Sequence, residues 1–201
     1  MGIPVLVLGE SGSGKTYSIR NFNVNEVGIF SVEKGRLPFK KDFRVAKNAT
    51  YEMICSSLKK PNLKAYVIDD SQYLMVNELF DRSKEKGYDK FTDIAVNFRN
   101  LVHYVNDMPD DDKIVYFLHH SEADTDGREK AKTIGRMLDE KLTLEGCFDI
   151  VIYCQDHKFY TQGDGMSTAK TPEGMFDESE IPNDLKAVDT AIREYYGLTG
   201  G

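Results

Sequence analysis

The sequence predicts an α/β domain with a mainly parallel central sheet flanked by helices. Five short apolar runs have the length and composition of buried parallel strands, namely residues 3–8, 27–32, 65–68, 114–118 and 148–154. Stretches with apolar residues at helical spacing lie between most of these runs, as expected for a chain that alternates strands and helices. A length of 201 residues fits one such domain over residues 1–201 and is too short for two ordinary domains.

The segments between the strands give the remaining elements in order. Pro61 ends one helical segment, because the residue before a proline is disfavoured in the helical region. Asp184 precedes the last helix as its cap, and Gly197 follows its end. The Asp164-Gly165 pair predicts a C-terminal β-hairpin between residues 157–161 and 166–170. The predicted helices cover residues 15–22, 50–60, 71–80, 91–106, 134–145 and the segment after 184.

The first strand leads directly into the segment GESGSGKT, residues 9–16. This segment matches the Walker A pattern, or P-loop, G-x-x-x-x-G-K-[ST], and it stands where that pattern is expected, between a strand and a helix. Its glycines allow backbone N–H groups to turn towards phosphates, Lys15 can reach the β- and γ-phosphates, and the Thr16 hydroxyl can bind Mg²⁺. The predicted nucleotide-binding residues are Gly9, Glu10, Ser11, Gly12, Ser13, Gly14, Lys15, Thr16 and Tyr17.

Carboxylates follow two of the later strands. Asp69 and Asp70 end the third apolar run, which has the pattern of a Walker B strand, and Glu33 follows the second run. The carboxyl ends of parallel strands meet at one edge of the sheet, so Asp69 is predicted to hold Mg²⁺ together with Thr16. Either Glu33 or Asp70 could then orient the attacking water.

Two histidines and a basic loop follow the fourth apolar run. His119 or His120, at the tip of this strand, is well placed to sense the γ-phosphate and to pass its presence on. The next segment, residues 122–133, has little apolar content and is expected to be a mobile loop. Its Arg128, Lys130 and Lys132 are the candidate nucleic-acid-binding residues.

Composition limits the classes of function. A net charge of −7 argues against a protein that coats nucleic acid through bulk charge, although a local basic loop remains compatible with DNA. The basic segment 34–47 contains two phenylalanines and is better explained as a solvated connection than as a nucleic-acid surface. No run of eighteen apolar residues is present, and the three cysteines form no C-x-x-C pair, so a cytoplasmic protein without a membrane span is expected.

The order of these motifs resembles the RecA ATPase core. More closely, the chain is similar to the small phage-encoded RecA-like nucleotide-binding proteins of the single-strand annealing recombinase type. The segments that carry the resemblance are GESGSGKT, GIFSVEKG, VIDDSQYL, AKTPEGMF and IPNDL. They are spread over most of the chain.

The resemblance implies a Mg²⁺-dependent ATPase that acts on single-stranded DNA, in the host cytoplasm if the protein is phage-encoded. It implies that Glu33 activates water, that His119 or His120 replaces the usual glutamine sensor, and that residues 122–133 contact DNA. Lys170, with Lys158 as the weaker match, would correspond to the lysines that reach the nucleotide of a neighbouring subunit in a ring or filament. A single-strand-binding protein is a candidate partner.

Two other functions are compatible with the same P-loop. One is a nucleotide-gated assembly or partner switch with little turnover. The other is a P-loop kinase, which would need arginines near the transferred phosphoryl group, and only Arg128 and Arg136 are candidates. The sequence contains no N-K-x-D-type guanine signature, which favours ATP over GTP.

Overall fold

A mostly parallel mixed sheet with helices on both faces forms the centre of the computed structural model, which describes residues 1–33, 35–109, 112–134 and 143–198. The strands are β1 Ile3–Gly9, β2 Val27–Ser31, β3 Val45–Lys47, β4 Ala65–Asp69, β5 Ile114–Ala123, β6 Glu129–Ala131, β7 Ile150–Gln155, β8 Lys158–Tyr160 and β9 Glu180–Pro182. Their order in the sheet is β3-β2-β4-β5-β1-β7-β8-β9, with β6 paired to β5. The six neighbours β3-β2-β4-β5-β1-β7 are parallel, whereas β6, β8 and β9 pair antiparallel.

Helices cover the two faces of the sheet and bury the apolar strands between them. The α-helices are α1 Tyr51–Leu58, α2 Tyr73–Asp81, α3 Asp89–Asn106 and α4 Leu185–Tyr196, and 3₁₀ helices span Thr16–Asn21 and Leu144–Cys147. One core layer packs α1, α2 and α3 against the sheet, and the other packs the first 3₁₀ helix and α4. Burial on both faces explains why the central strands are continuously apolar.

The helix ends follow the sequence signals. The Thr50 hydroxyl accepts a hydrogen bond from the Met53 amide and caps α1. The Asp184 carboxylate accepts from the Lys186 and Ala187 amides and caps α4. Gly197 ends α4 in the left-handed conformation, with φ 64°. These two helices therefore begin and end close to where the sequence predicted.

The predicted hairpin through Asp164 and Gly165 is wrong. Gly165 has the positive φ that its turn requires, 92°, but the flanking segments pair elsewhere. Residues 158–160 form β8, which pairs with β7 and β9, while Ser167 and Lys170 form isolated bridges to Glu129 and Val151. The strand 158–160 instead forms a tight hairpin with β7 on one side and pairs with residues 180–182 on the other, so the segment 166–170 is left to bridge to more distant residues.

Residues 122–133, which the sequence predicted as a mobile loop, contain the second half of a β-hairpin. Ser121, Glu122 and Ala123 pair with Ala131, Lys130 and Glu129, so β5 continues well beyond its apolar part. Residues 135–142 of the predicted helix 134–145 lie outside the described residues. Of the helices in the described part of the chain, none has both the length and the apolar content needed to cross a bilayer.

Candidate functional site

A cavity of about 630 Å³ lies at the carboxyl edge of the parallel strands. The P-loop begins at the last residue of β1, and the two aspartates lie at the end of β4, so the parallel pairing of both strands with β5 brings them to this edge. Glu33 and His120 enter from β2 and β5. From the P-loop segment, the residues that line the cavity are Ser11, Gly12, Gly14, Lys15, Thr16 and Tyr17.

The P-loop lysine is folded back onto its own loop. The Lys15 ammonium donates hydrogen bonds to the carbonyls of Gly9, at 2.6 Å, and Glu10, at 2.8 Å. Lys15 is buried, and this burial lowers its pKa, although nearby acidic groups including Asp69 and Asp70 oppose the shift. An ammonium forms stronger hydrogen bonds with an anion than with neutral carbonyls, so an anion in the cavity can replace the two carbonyls as the partner of Lys15.

Thr16 and Asp69 meet directly across the cavity. The Thr16 hydroxyl donates to the Asp69 carboxylate at 2.8 Å. Burial raises the pKa of Asp69 to about 6, and the adjacent Asp70 carboxylate adds to the shift, whereas the Thr16 hydrogen bond and Lys15 act against it. Two oxygens from residues 53 positions apart therefore converge on one point.

Asp70 turns away from the strand that precedes it. Its φ is 58°, in the left-handed region that few residues other than glycine adopt. In this conformation its carboxylate lies 3.1 Å from His120 Nε2, and both side chains line the cavity. The His120 amide also donates to the Gln72 side chain at 2.7 Å. Left-handed aspartate at a cavity is the kind of local strain that functional sites retain.

The two histidines have different environments, which the sequence could not separate. His120 reaches the cavity, whereas His119 is fully buried on the other face of β5, against Phe98. His119 Nδ1 lies 2.9 Å from the Ser71 hydroxyl, and Nε2 lies 2.8 Å from the Lys132 carbonyl. His119 thus connects the turn after Asp70 to the base of the β5–β6 hairpin, and its burial lowers its pKa to about 4.

Glu33 also faces the cavity, at the end of β2. The Ser31 hydroxyl donates to the Glu33 carbonyl and holds the backbone where the strand ends. Glu33 additionally lines a neighbouring cavity of about 530 Å³ that continues towards α2. Glu33 and Asp70 therefore both border the main cavity, but only Asp70 has a carboxylate hydrogen-bonded to a histidine there.

Other predicted P-loop residues lie beside the main cavity instead of lining it. The side chains of Glu10 and Ser13 border a separate cavity of about 260 Å³, together with Glu129 and Asp156. Gly9 enters the site through its carbonyl, which accepts from Lys15.

Lys170 and the basic hairpin residues also lie outside the cavity lining. Lys170 is exposed, and its backbone pairs with Val151 near the start of β7, not at the carboxyl end where the cavity lies. The hairpin contributes Arg128, 3.5 Å from the Ser167 carbonyl, Lys130, 3.8 Å from the Glu122 carboxylate, and an exposed Lys132.

Several cavity residues were not found by sequence reasoning. These are Gly35, Arg36, Pro38, Tyr73 and His157. The first three belong to the basic segment after β2, whose Phe39 and Phe43 pack against the core layer of α4. Lys41 there donates to the carbonyls of Arg20 and Phe22. The segment is thus an anchored connection, as expected, and part of it also borders the site.

The donor set suits a magnesium ion better than a transition metal. In the described ranges, no group of three or more His, Cys, Asp or Glu side chains could hold a metal ion by itself. Mg²⁺ is commonly held by one or two protein oxygens, with substrate phosphates and water completing the shell. The convergence of Thr16 and Asp69 fits that mode.

No protein-family model matches the chain, and no curated protein sequence matches it.

Proposed function

We propose that this chain is a Mg²⁺-dependent ATPase of the RecA-like P-loop class, acting on single-stranded DNA. The observation that carries the proposal is the hydrogen bond between Thr16 of the GKT segment and Asp69 at the end of β4. It joins the two residues to which a P-loop and a Walker B strand assign the metal. The parallel order β4-β5-β1, with the histidine-bearing strand between the other two, also supports it.

Binding would begin with the loop and Lys15. The triphosphate would take the place of the Gly9 and Glu10 carbonyls at the Lys15 ammonium, which then neutralises charge on the β- and γ-phosphates. Backbone N–H groups of residues 12–16 would contribute further donors. Bound Mg²⁺, held by Thr16 and Asp69, would supply charge neutralisation as the γ-phosphoryl group leaves.

Glu33 and Asp70 are the candidates for orienting the attacking water. We assign this role to Glu33, because the Asp70 carboxylate already accepts from His120 if that imidazole carries its proton on Nε2. Glu33 would accept a proton from the water as its oxygen attacks the γ-phosphorus and the bond to the β–γ bridging oxygen breaks. His120 would then respond to the γ-phosphate through its contact with Asp70.

The DNA and oligomer parts of the proposal have separate support. The β5–β6 hairpin bears Arg128, Lys130 and Lys132, and its base is joined to the site through His119 and the Lys132 carbonyl. A nucleotide-dependent conformational change in the turn after Asp70 would therefore be transmitted through His119 to this basic hairpin. A homo-oligomer with nucleotide at its interface, with Lys170 acting on the neighbouring subunit, follows from the family resemblance.

The first experiment measures ATP hydrolysis with and without single-stranded DNA, using Lys15→Ala as the blank. We expect Mg²⁺-dependent hydrolysis that single-stranded DNA stimulates and that Lys15→Ala abolishes. Stimulation should weaken in a variant with Arg128, Lys130 and Lys132 replaced by glutamine. An equal rate of hydrolysis with and without single-stranded DNA would contradict the proposal that the protein acts on DNA. Retention of bound ATP over hours would instead favour a nucleotide-gated switch.

A second pair of variants separates the two carboxylates. Glu33→Gln should bind ATP with unchanged affinity and lose about 10²- to 10⁴-fold in turnover, the range for removal of a general base. Asp70→Asn should lose less, because an asparagine can still accept from His120. If Glu33→Gln turns over normally and Asp70→Asn does not, the water-orienting role belongs to Asp70.

A further inference from the structure

The turn between β7 and β8 has an unusual sequence for its shape. Gln155 pairs with Lys158, so Asp156 and His157 form a two-residue hairpin loop, with φ 48° and 57°. Loops with two positive φ values strongly favour Asn-Gly, because residues with a Cβ are strained there. A histidine in the second position lacks the freedom of glycine, and such strain is typically retained where a side chain has a function.

His157 is held against the P-loop by three contacts. Its amide donates to the Ser13 carbonyl at 2.9 Å. Its imidazole lies so close to Gly14 that a Cβ on that glycine would come within 2.8 Å of Nδ1. Its ring also meets the Tyr17 ring edge to face, with the centroids 5.4 Å apart and the planes at 84°. The turn therefore fixes the imidazole beside the phosphate-binding loop.

Tyr17 and His157 form an aromatic corner in a cavity whose remaining lining is largely polar. The Arg20 guanidinium lies over one face of Tyr17, 4.2 Å from the ring centroid, and the Phe39 ring meets Tyr17 edge to face with the centroids 6.3 Å apart, so Tyr17 is fixed in place beside the cavity. Tyr73, which also lines the cavity, packs its ring against His120 on the side of the carboxylates. The cavity thus has one aromatic pair beside Asp70 and another, Tyr17 and His157, beside the P-loop.

We propose that His157 and Tyr17 hold the nucleobase of the bound nucleotide, so that the site takes a nucleoside triphosphate in preference to inorganic polyphosphate. The inference rests on the proposed function, because it places the triphosphate on the P-loop. Stacking on flat aromatic surfaces favours a base without reading its hydrogen-bonding edge, and adenine and guanine should therefore both be accepted at this corner.

The test compares two substitutions within the same turn. His157→Gly removes the ring and relieves the positive φ, whereas Asp156→Gly relieves the neighbouring φ and leaves the ring in place. His157→Asn is a second variant, because asparagine tolerates the left-handed region but has no ring. For each protein, calorimetry with Mg²⁺ present measures the affinity for ATP, GTP and inorganic tripolyphosphate, and a thermal melt checks folding.

We expect His157→Gly and His157→Asn to lose about tenfold in affinity for ATP and GTP, while tripolyphosphate binding stays unchanged. Asp156→Gly should match the wild type for all three ligands. The melting temperature of Asp156→Gly should equal or exceed that of the wild type, since strain is removed. That of His157→Gly should stay close to the wild-type value, because loss of the edge-to-face contact with Tyr17 offsets the relief of strain.

The other outcomes separate the two proposals. Equal loss for ATP and tripolyphosphate in the His157 variants would mean that His157 acts on the phosphates, and would overturn the base assignment. Wild-type protein that binds ATP no more tightly than tripolyphosphate would overturn it as well, while leaving the P-loop proposal intact. Wild-type protein that binds none of the three ligands would overturn the proposed function and the inference together.

Discussion

Acidification should destabilise the protein through His119. This imidazole is fully buried, and burial lowers its pKa to about 4, whereas an unfolded histidine has a pKa near 6.5. Between these values the unfolded chain binds a proton that the folded chain does not. Above pH 6.5 the imidazole is neutral in both states, and the folded protein has its full stability. As the pH falls from 6.5 towards 4, protonation of the unfolded chain progressively lowers the free energy of unfolding. At about 1.4 kcal/mol per pH unit, the loss reaches about 3 kcal/mol.

Wild-type protein alone would not reveal this loss. Burial of Asp69 raises its pKa to about 6, so the folded state takes up a proton there before the unfolded state does, and this stabilises the fold over much of the same pH range. The two contributions have opposite signs and similar size. The informative quantity is therefore the difference in unfolding free energy between wild type and His119→Gln, in which the Asp69 contribution is common to both.

The assay is urea denaturation of both proteins at intervals from pH 7 to pH 4. At pH 7 the wild type should be more stable, because glutamine cannot reach both the Ser71 hydroxyl and the Lys132 carbonyl. The stability difference should then shrink by about 3 kcal/mol as the pH falls to 4. Parallel curves for wild type and His119→Gln would refute the reasoning.

Two further predictions concern the metal and the hairpin. Asp69→Asn should weaken ATP binding by about tenfold or more in buffer with Mg²⁺ and leave it nearly unchanged in buffer with EDTA, because the carboxylate acts through the metal. Titrations in the two buffers measure this. Equal losses of affinity in both buffers would contradict the assignment of Asp69 to the metal. Glu145 is buried and accepts from the Ala131 amide at 2.7 Å and from the Thr168 hydroxyl at 3.1 Å. Glu145→Ala should therefore cost about 1–3 kcal/mol of unfolding free energy and Glu145→Gln much less, because the glutamine oxygen can still accept from the amide. Equal losses in denaturation experiments would contradict this account.

The sheet and its carboxyl edge could be predicted because their signals are local. A strand buried on both faces must be apolar along its length, and the polar residues that follow such strands must meet where parallel strands end. Glu33, Asp69 and His120 reach the cavity for this reason, together with Lys15 and Thr16 of the P-loop.

The sequence could not predict which of the two histidines faces the cavity, because the residues of β5 that precede them are all apolar. Side chains alternate between faces along β5, so His119 and His120 must point in opposite directions. A strand that is apolar throughout carries no alternation from which to assign those directions. The assignment comes from the packing: Phe117 lies in the layer of α3, so His119 does too, and His120 is left facing the other side.

The strained residues also gave no sequence signal, and their distribution supports a functional edge of the sheet. In the described part of the chain, the non-glycine residues with positive φ are Asn48, Asp70, Asp156 and His157. Asp70 and His157 line the main cavity, and Asn48 borders the adjoining cavity that shares Glu33. Glycine would relieve the strain at Asp70 and His157, which costs about 1–3 kcal/mol for each residue. Strained residues cluster at active sites and ligand clamps, so two of them in the lining of one cavity support the choice of this cavity as the candidate site.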